Sequence, residues 1–153
     1  MKLCPAVTPD HVALSRALFE EYAAWLGIDL SFQGFAAELA GLPGLYAPPR
    51  GRLFLALGSS EAVGCVALRP LGDTVCEMKR LFVRPVFRGQ GLGRRLAEQI
   101  VEEARAIGYA TMKLDTLPSM QVAIRLYEAL GFVPCAPYYG TPLRETVFME
   151  LQL

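Results

Sequence analysis

Apolar residues recur along the chain with two different periods, and the switches between them mark out its elements. A short opening strand ends at Val7. Thr8-Pro9-Asp10 then offers an N-cap with proline at the first helical position, and Val12, Leu14, Leu18, Phe19, Tyr22 and Leu26 follow at three- and four-residue steps until Gly27. This spacing predicts a first helix, and Ser31 stands where it would cap a second one running to Leu39. Gly41 to Gly51, with three prolines and three glycines, reads as a loop. Arg52 to Leu57 and Ala62 to Leu68 are β-rich runs joined by Gly58-Ser59-Ser60-Glu61, the pattern of an antiparallel hairpin, and a turn at Gly72-Asp73 leads into a third run, Thr74 to Val83.

Beyond Pro85 the period lengthens. Leu92, Leu96, Ile100, Ala104 and Ile107 fall on one stripe, with Arg94, Arg95, Glu98, Glu102 and Arg105 mostly off it, which predicts an amphipathic helix closed by Gly108. Thr111 to Asp115 reads as a short strand. Ala123, Leu126, Tyr127 and Leu130 mark a further helix ended by Gly131, and Phe132 to Cys135 and Thr146 to Leu151 read as two closing strands. This order predicts an α/β fold in which helices cover a mixed sheet, with residues 1–153 forming a single domain.

Composition narrows the classes of function. With 53% hydrophobic residues in 153, the chain has ample material for one core and is unlike a disordered protein. Fifteen Lys and Arg balance fifteen Asp and Glu, so no global field draws it to nucleic acid or to an anionic membrane. No apolar run approaches the roughly 18 residues of a membrane span, and Met1-Lys2-Leu3-Cys4-Pro5 does not open a secretion signal, so a cytoplasmic protein is expected. Cys4, Cys65, Cys76 and Cys135 share no C-x-x-C spacing, and the single His11, read as exposed and inert, cannot complete a zinc set. Reduced thiols and no metal are expected.

The chemistry concentrates in Arg88-Gly89-Gln90-Gly91-Leu92-Gly93, between a strand and an amphipathic helix. Glycines there let a ligand approach the backbone, and the N–H groups of a helix start favour an anion. Lys79, Arg80, Arg84, Arg88, Arg94 and Arg95 follow one another without an acidic residue between them, which points to a local anion site in a neutral chain. The register excludes a dinucleotide fingerprint, since Arg94 follows Gly93, and no G-K-[ST] of a nucleotide P-loop is present.

This segment resembles the coenzyme A loop of the GNAT acetyltransferase superfamily, [QR]-x-x-G-x-[GA], with Arg88, Gly91 and Gly93 in register. Glu77 to Pro85 before it resembles the family's fourth strand, and Ala123 to Phe132 after it resembles the A-x-x-L-Y-x-x-x-G-F segment. The resemblance implies a GNAT fold, a mostly antiparallel mixed sheet flanked by about four helices, and transfer of acetyl from acetyl-CoA to a small-molecule or peptide amine. It implies that Arg88, Gly89, Gln90, Gly91, Leu92, Gly93 and Arg94 hold the pyrophosphate through backbone N–H groups. Leu81, Phe82 and Val83 would offer the strand edge that pairs with the pantetheine arm and polarises the thioester carbonyl. By the same resemblance Glu77, eleven residues before Arg88, is the expected general base and Tyr127 the expected acid for the leaving thiolate. Met120 departs from the pattern, because many relatives have an asparagine there, and Ser119 or backbone groups are the expected substitutes. The acceptor site is expected among Glu20, Glu21, Tyr22, Trp25, Asp29, Tyr138 and Tyr139. Other readings are a different acyl donor such as succinyl-CoA, and an acyl-CoA sensor without turnover. Nucleic-acid binding through the basic cluster is disfavoured by Glu98, Glu102 and Glu103. A homodimer through C-terminal edge strands is a mild expectation from the family.

Overall fold

The two hydrophobic periods resolve into a seven-stranded sheet with helices on both faces in the computed structural model, which describes residues 1–153. In chain order the elements are β1 (Lys2–Pro5), α1 (Pro9–Leu26), α2 (Phe35–Ala40), β2 (Arg52–Leu57), β3 (Ala62–Pro70), β4 (Val75–Val83), α3 (Leu92–Ile107), β5 (Thr111–Thr116), α4 (Gln121–Ala129), β6 (Val133–Pro134) and β7 (Val147–Gln152). The strands lie in the order β1-β2-β3-β4-β5-β7-β6, antiparallel throughout except for β4 and β5. The crossover between those two parallel strands is α3. No helix of the chain is long and apolar enough to cross a membrane.

Local chemistry sets the helix ends. The Thr8 hydroxyl accepts a hydrogen bond from the His11 amide at 3.2 Å, and Gly27, with φ of 68°, closes α1 in the left-handed conformation that costs glycine least. The second helix differs from the expected one. Ser31–Gln33 is a single 3₁₀ turn, Gly34 at φ 70° breaks the chain, and α2 begins only at Phe35. Ser31 does not cap through its side chain; its amide donates to the Asp29 carboxylate at 2.9 Å. His11, read as exposed, is half-buried, with its Nδ1 3.8 Å from the Cys4 sulfur.

Strand alternation sorts side chains onto two unequal cores. Cys76 and Met78 of β4 and Met112 and Leu114 of β5 join a core of 21 buried residues beneath α3 and α4. A core of 11 lies beneath α1 and α2 on the opposite face. Glu77 and Lys79, and likewise Lys113 and Asp115, therefore occupy the smaller-core face. A bulge interrupts this alternation on β4: Cys65 pairs with Phe82 and Ala67 with Lys79, so Arg80 and Leu81 together oppose Val66 alone.

The feature that positions the site is a divergence of neighbours. β4 and β5 pair at Val75–Thr111, Cys76–Met112 and Glu77–Lys113, and then separate. From Met78 onward β4 has β3 on one side and no strand on the other.

Candidate active site

The gap between the two strands is a cleft of about 750 Å³ including its open mouth. Its walls come from three sources: Met78, Lys79, Arg80 and Leu81 of β4; Asp115, Thr116 and the start of α4 with Met120, Ala123 and Tyr127; and, from the other face, Tyr22, the 26–33 segment, Tyr139, Leu143 and Thr146. It thus passes from one face of the sheet to the other through the space where strand pairing has ended.

On the larger-core side, Tyr127 is 7% exposed and packs its ring against Phe132 at 5.8 Å. Burial pushes its phenol well above the ordinary tyrosine range, with Tyr22 and Asp115 adding to the effect. No hydrogen bond from its hydroxyl appears within the chain, and no enclosed side-chain polar atom is left without a partner, so that hydroxyl is open to the cleft. Met120, where an asparagine was expected by resemblance, turns its side chain to the same wall and contributes no cap to α4.

Glu77 is 0% exposed and lies behind the cleft wall. One carboxylate oxygen accepts from Arg69 Nε at 2.7 Å, across the β3–β4 pairing, and the other from the Tyr138 hydroxyl at 2.5 Å. Burial and the adjoining Glu77 carboxylate both push the Tyr138 phenol far up, so it stays a donor. Asp115, not anticipated from the sequence, stands on the cleft wall and accepts from the Tyr139 hydroxyl. The available signal was an acid at the C-terminal end of a strand whose neighbour is β4.

Arg80 sits at φ 60°, a conformation a non-glycine residue holds only when its surroundings fix it. They do: its guanidinium donates to both Glu38 oxygens at 2.9 and 2.8 Å and to Gln33 Oε1 at 3.0 Å. This pair, a buried guanidinium on a half-buried carboxylate, ties α2 to the bulge. Glu38→Ala, which strands the guanidinium, is expected to lower the unfolding free energy by about 3–5 kcal/mol, measurable by urea titration.

The six cations expected to make a local anion site each have a partner within the chain. Arg80, Arg84 and Arg94 meet carboxylates, and the other three reach only neutral partners. Arg84 binds Glu21 and Glu61, Arg94 binds Glu98, Arg95 donates to the Met1 carbonyl, and Lys79 and Arg80 are buried on Gln33 and Glu38. Arg88 lies 4.4 Å over Trp25 and donates to the Val83 carbonyl at 2.8 Å. Backbone groups are open to an anion as well. Gly89 (φ 80°) and Gly91 (φ 79°) turn the loop into α3, whose first turn has no side-chain cap and leaves its N–H groups free.

The other anticipated residues divide. Leu81 lines the cleft, Phe82 turns into the smaller core, and Val83 into the larger. Tyr22 and Tyr139 line the cleft, Tyr138 holds Glu77, Trp25 carries Arg88, Glu21 pairs with Arg84, and Asp29 caps Ser31. Glu20 is exposed.

The through-sheet cleft and the uncapped N-terminus of α3, which is not part of the cleft lining, are the two features of the fold open to a ligand. Residues 14–132 match the model of the acetyltransferase (GNAT) family. The chain is 41% identical over 147 residues to an uncharacterized N-acetyltransferase of Schizosaccharomyces pombe, covering 95% of this chain and 90% of that one. It is 39% identical over 141 residues to the IAA acetyltransferase of Azospirillum brasilense, covering 89% and 88%. A Salmonella typhimurium protein solved with its cofactor acetyl-CoA shares the fold at a TM-score of 0.71 and 23% identity, over 99% of this chain and 93% of that one. The chain belongs to the GNAT acetyltransferase family, and it is an acetyl-CoA-dependent acyltransferase.

Proposed function

We propose that the protein transfers the acetyl group of acetyl-CoA to a primary amine by direct attack of the amine on the thioester. The observation that carries this reading is the end of β4–β5 pairing at Glu77–Lys113, which opens a passage between the two faces of the sheet beside the free Tyr127 hydroxyl. The loop from Arg88 to Arg94 binds the pyrophosphate through its backbone N–H groups. The unpaired β4 edge around Leu81, Phe82 and Val83 receives the pantetheine arm and offers an N–H to the thioester oxygen, where charge develops as the amine attacks.

Tyr127 donates its proton to the departing thiolate. Glu77, buried behind the wall, takes the proton shed by the amine by relay: the Tyr138 hydroxyl passes its own proton to Glu77 as it accepts the amine's. A second reading rests on Asp115, which stands on the wall itself and would take that proton directly.

Release of free coenzyme A thiol from acetyl-CoA across a panel of amines tests the reaction, and pH profiles assign the base. Glu77→Gln and Tyr138→Phe are each expected to lower kcat by about 10²-fold or more and to change the acidic limb. If both retain the wild-type profile while Asp115→Asn loses the acidic limb, Asp115 is the base. Binding of acetyl-CoA with no thiol release from any amine removes acetyl transfer to amines altogether.

A further inference from the structure

Three charged side chains line the cleft: Lys79, Arg80 and Asp115. Arg80 is neutralised by its two bonds to Glu38, and the nearby Glu77 is neutralised behind the wall by Arg69. Lys79 and Asp115 are left. Lys79 is 8% exposed, and its ammonium donates only to the neutral Gln33 Oε1 at 3.2 Å, with no carboxylate in ion-pair range. Asp115 has a phenol as partner and no cation in ion-pair range.

A buried charge without a counter-ion is unfavourable unless something supplies one. Burial here depresses the Lys79 pKa, against the pull of Glu77 and Asp115, in keeping with an ammonium that lacks a close partner. Strand alternation puts Lys79 and Asp115 on the same face of the sheet, on the two strands that separate around the cleft. The same cleft is lined mostly by apolar residues, Leu26, Ile28, Leu30 and Phe32 among them.

We infer that the acceptor is an amino-carboxylate with an apolar body, its ammonium held by Asp115 and its carboxylate by Lys79. This rests on the acyl-transfer reading above and names the substrate class for it. An ampholyte satisfies both leftover charges at once, whereas a diamine leaves Lys79 facing a second cation and an uncharged amine leaves it unpaired. A carboxylate on a buried ammonium forms a charge-assisted hydrogen bond of the strong kind.

The test is calorimetric binding of leucine, leucinamide and 3-methylbutylamine to the coenzyme A-saturated protein, with thiol release from acetyl-CoA followed in parallel. Leucine is expected to bind at least about tenfold more tightly than the other two. Lys79→Met, which keeps an unbranched side chain, brings that ratio to about one, and Lys79→Arg restores part of it. Asp115→Asn weakens leucine and leucinamide alike. Equal binding of leucine and leucinamide by the wild type, or a preference that survives in Lys79→Met, overturns the inference. Aspartate bound more tightly than leucine overturns its apolar half. The two readings fail separately. Thiol release with every amine but no carboxylate preference leaves acyl transfer standing without this substrate class. Carboxylate preference lost in Lys79→Met, with no thiol release from any acceptor, keeps the binding site and removes acyl transfer as proposed.

Discussion

Tyr127→Phe is expected to lower kcat for acetyl transfer by about 10²- to 10⁴-fold, the range of a lost general acid, without weakening acetyl-CoA binding comparably. The substitution keeps the ring that packs on Phe132 and removes only a hydroxyl that bonds to nothing in the chain, so the fold has little reason to respond. The pH dependence has a definite sign. Burial raises the phenol's pKa, so the acid stays protonated as pH rises through the ordinary tyrosine range near about 10. Wild-type kcat should therefore show no alkaline decline from this group across the usual assay range. Single-turnover thiol release for the two proteins, run from mildly acidic to alkaline pH, decides the matter. A phenylalanine variant with unchanged kcat would leave the hydroxyl as a polar spot on the wall and the thiolate to leave unassisted.

Gly91→Glu is expected to reduce acetyl-CoA affinity by about 10²-fold or more, by two effects in the same direction. At φ 79° a side chain adds backbone strain of about 1–2 kcal/mol to the loop that leads into α3. The new carboxylate then sits at the helix N-terminus, occupying the free N–H groups with an anion of its own and repelling the pyrophosphate. Gly91→Ala, strained at the same φ but uncharged, separates the two effects, and Gly93→Ala is the control with neither, since its Cβ would meet only Leu126 at 3.9 Å and there is no left-handed φ to strain. Calorimetry with acetyl-CoA gives the affinities, and urea titration of the unliganded variants shows whether folding has changed. Undiminished binding by Gly91→Glu would move the pyrophosphate away from this loop.

The elements with long, regular periods were legible in the sequence. The stripe from Leu92 to Ile107 and the hairpin of β2 and β3 fall where the pattern puts them, because burial on one face demands that pattern. The second helix was not legible, since a glycine in mid-helix and a glycine in left-handed break look alike until φ is known. The site divides in the same way. Tyr127 and the glycine loop sit in local motifs. The surroundings of Glu77 depend on contacts across the chain: Arg69 faces it through strand register, and Tyr138 reaches it from a loop 61 residues away. Lys79 read as one member of a basic run because its sequence neighbours are cations, while Asp115, which completes the cleft with it, belongs to a different strand. A count of charges along the chain cannot say which of them cancel, and here Arg80, Arg84 and Arg94 meet carboxylates while Lys79, Arg88 and Arg95 do not.

The inequality of the two cores bears on how such a domain changes over time. The larger one secures α3, α4 and the proposed donor-binding loop, while α1, α2 and the acceptor wall rest on the smaller one and on ion pairs such as Arg80–Glu38 and Arg84–Glu21. If the acceptor is held as proposed, substitutions on its wall disturb the lesser part of the hydrophobic free energy and cost the fold less than changes around the proposed donor loop. The scaffold thereby separates what must be kept from what is open to selection.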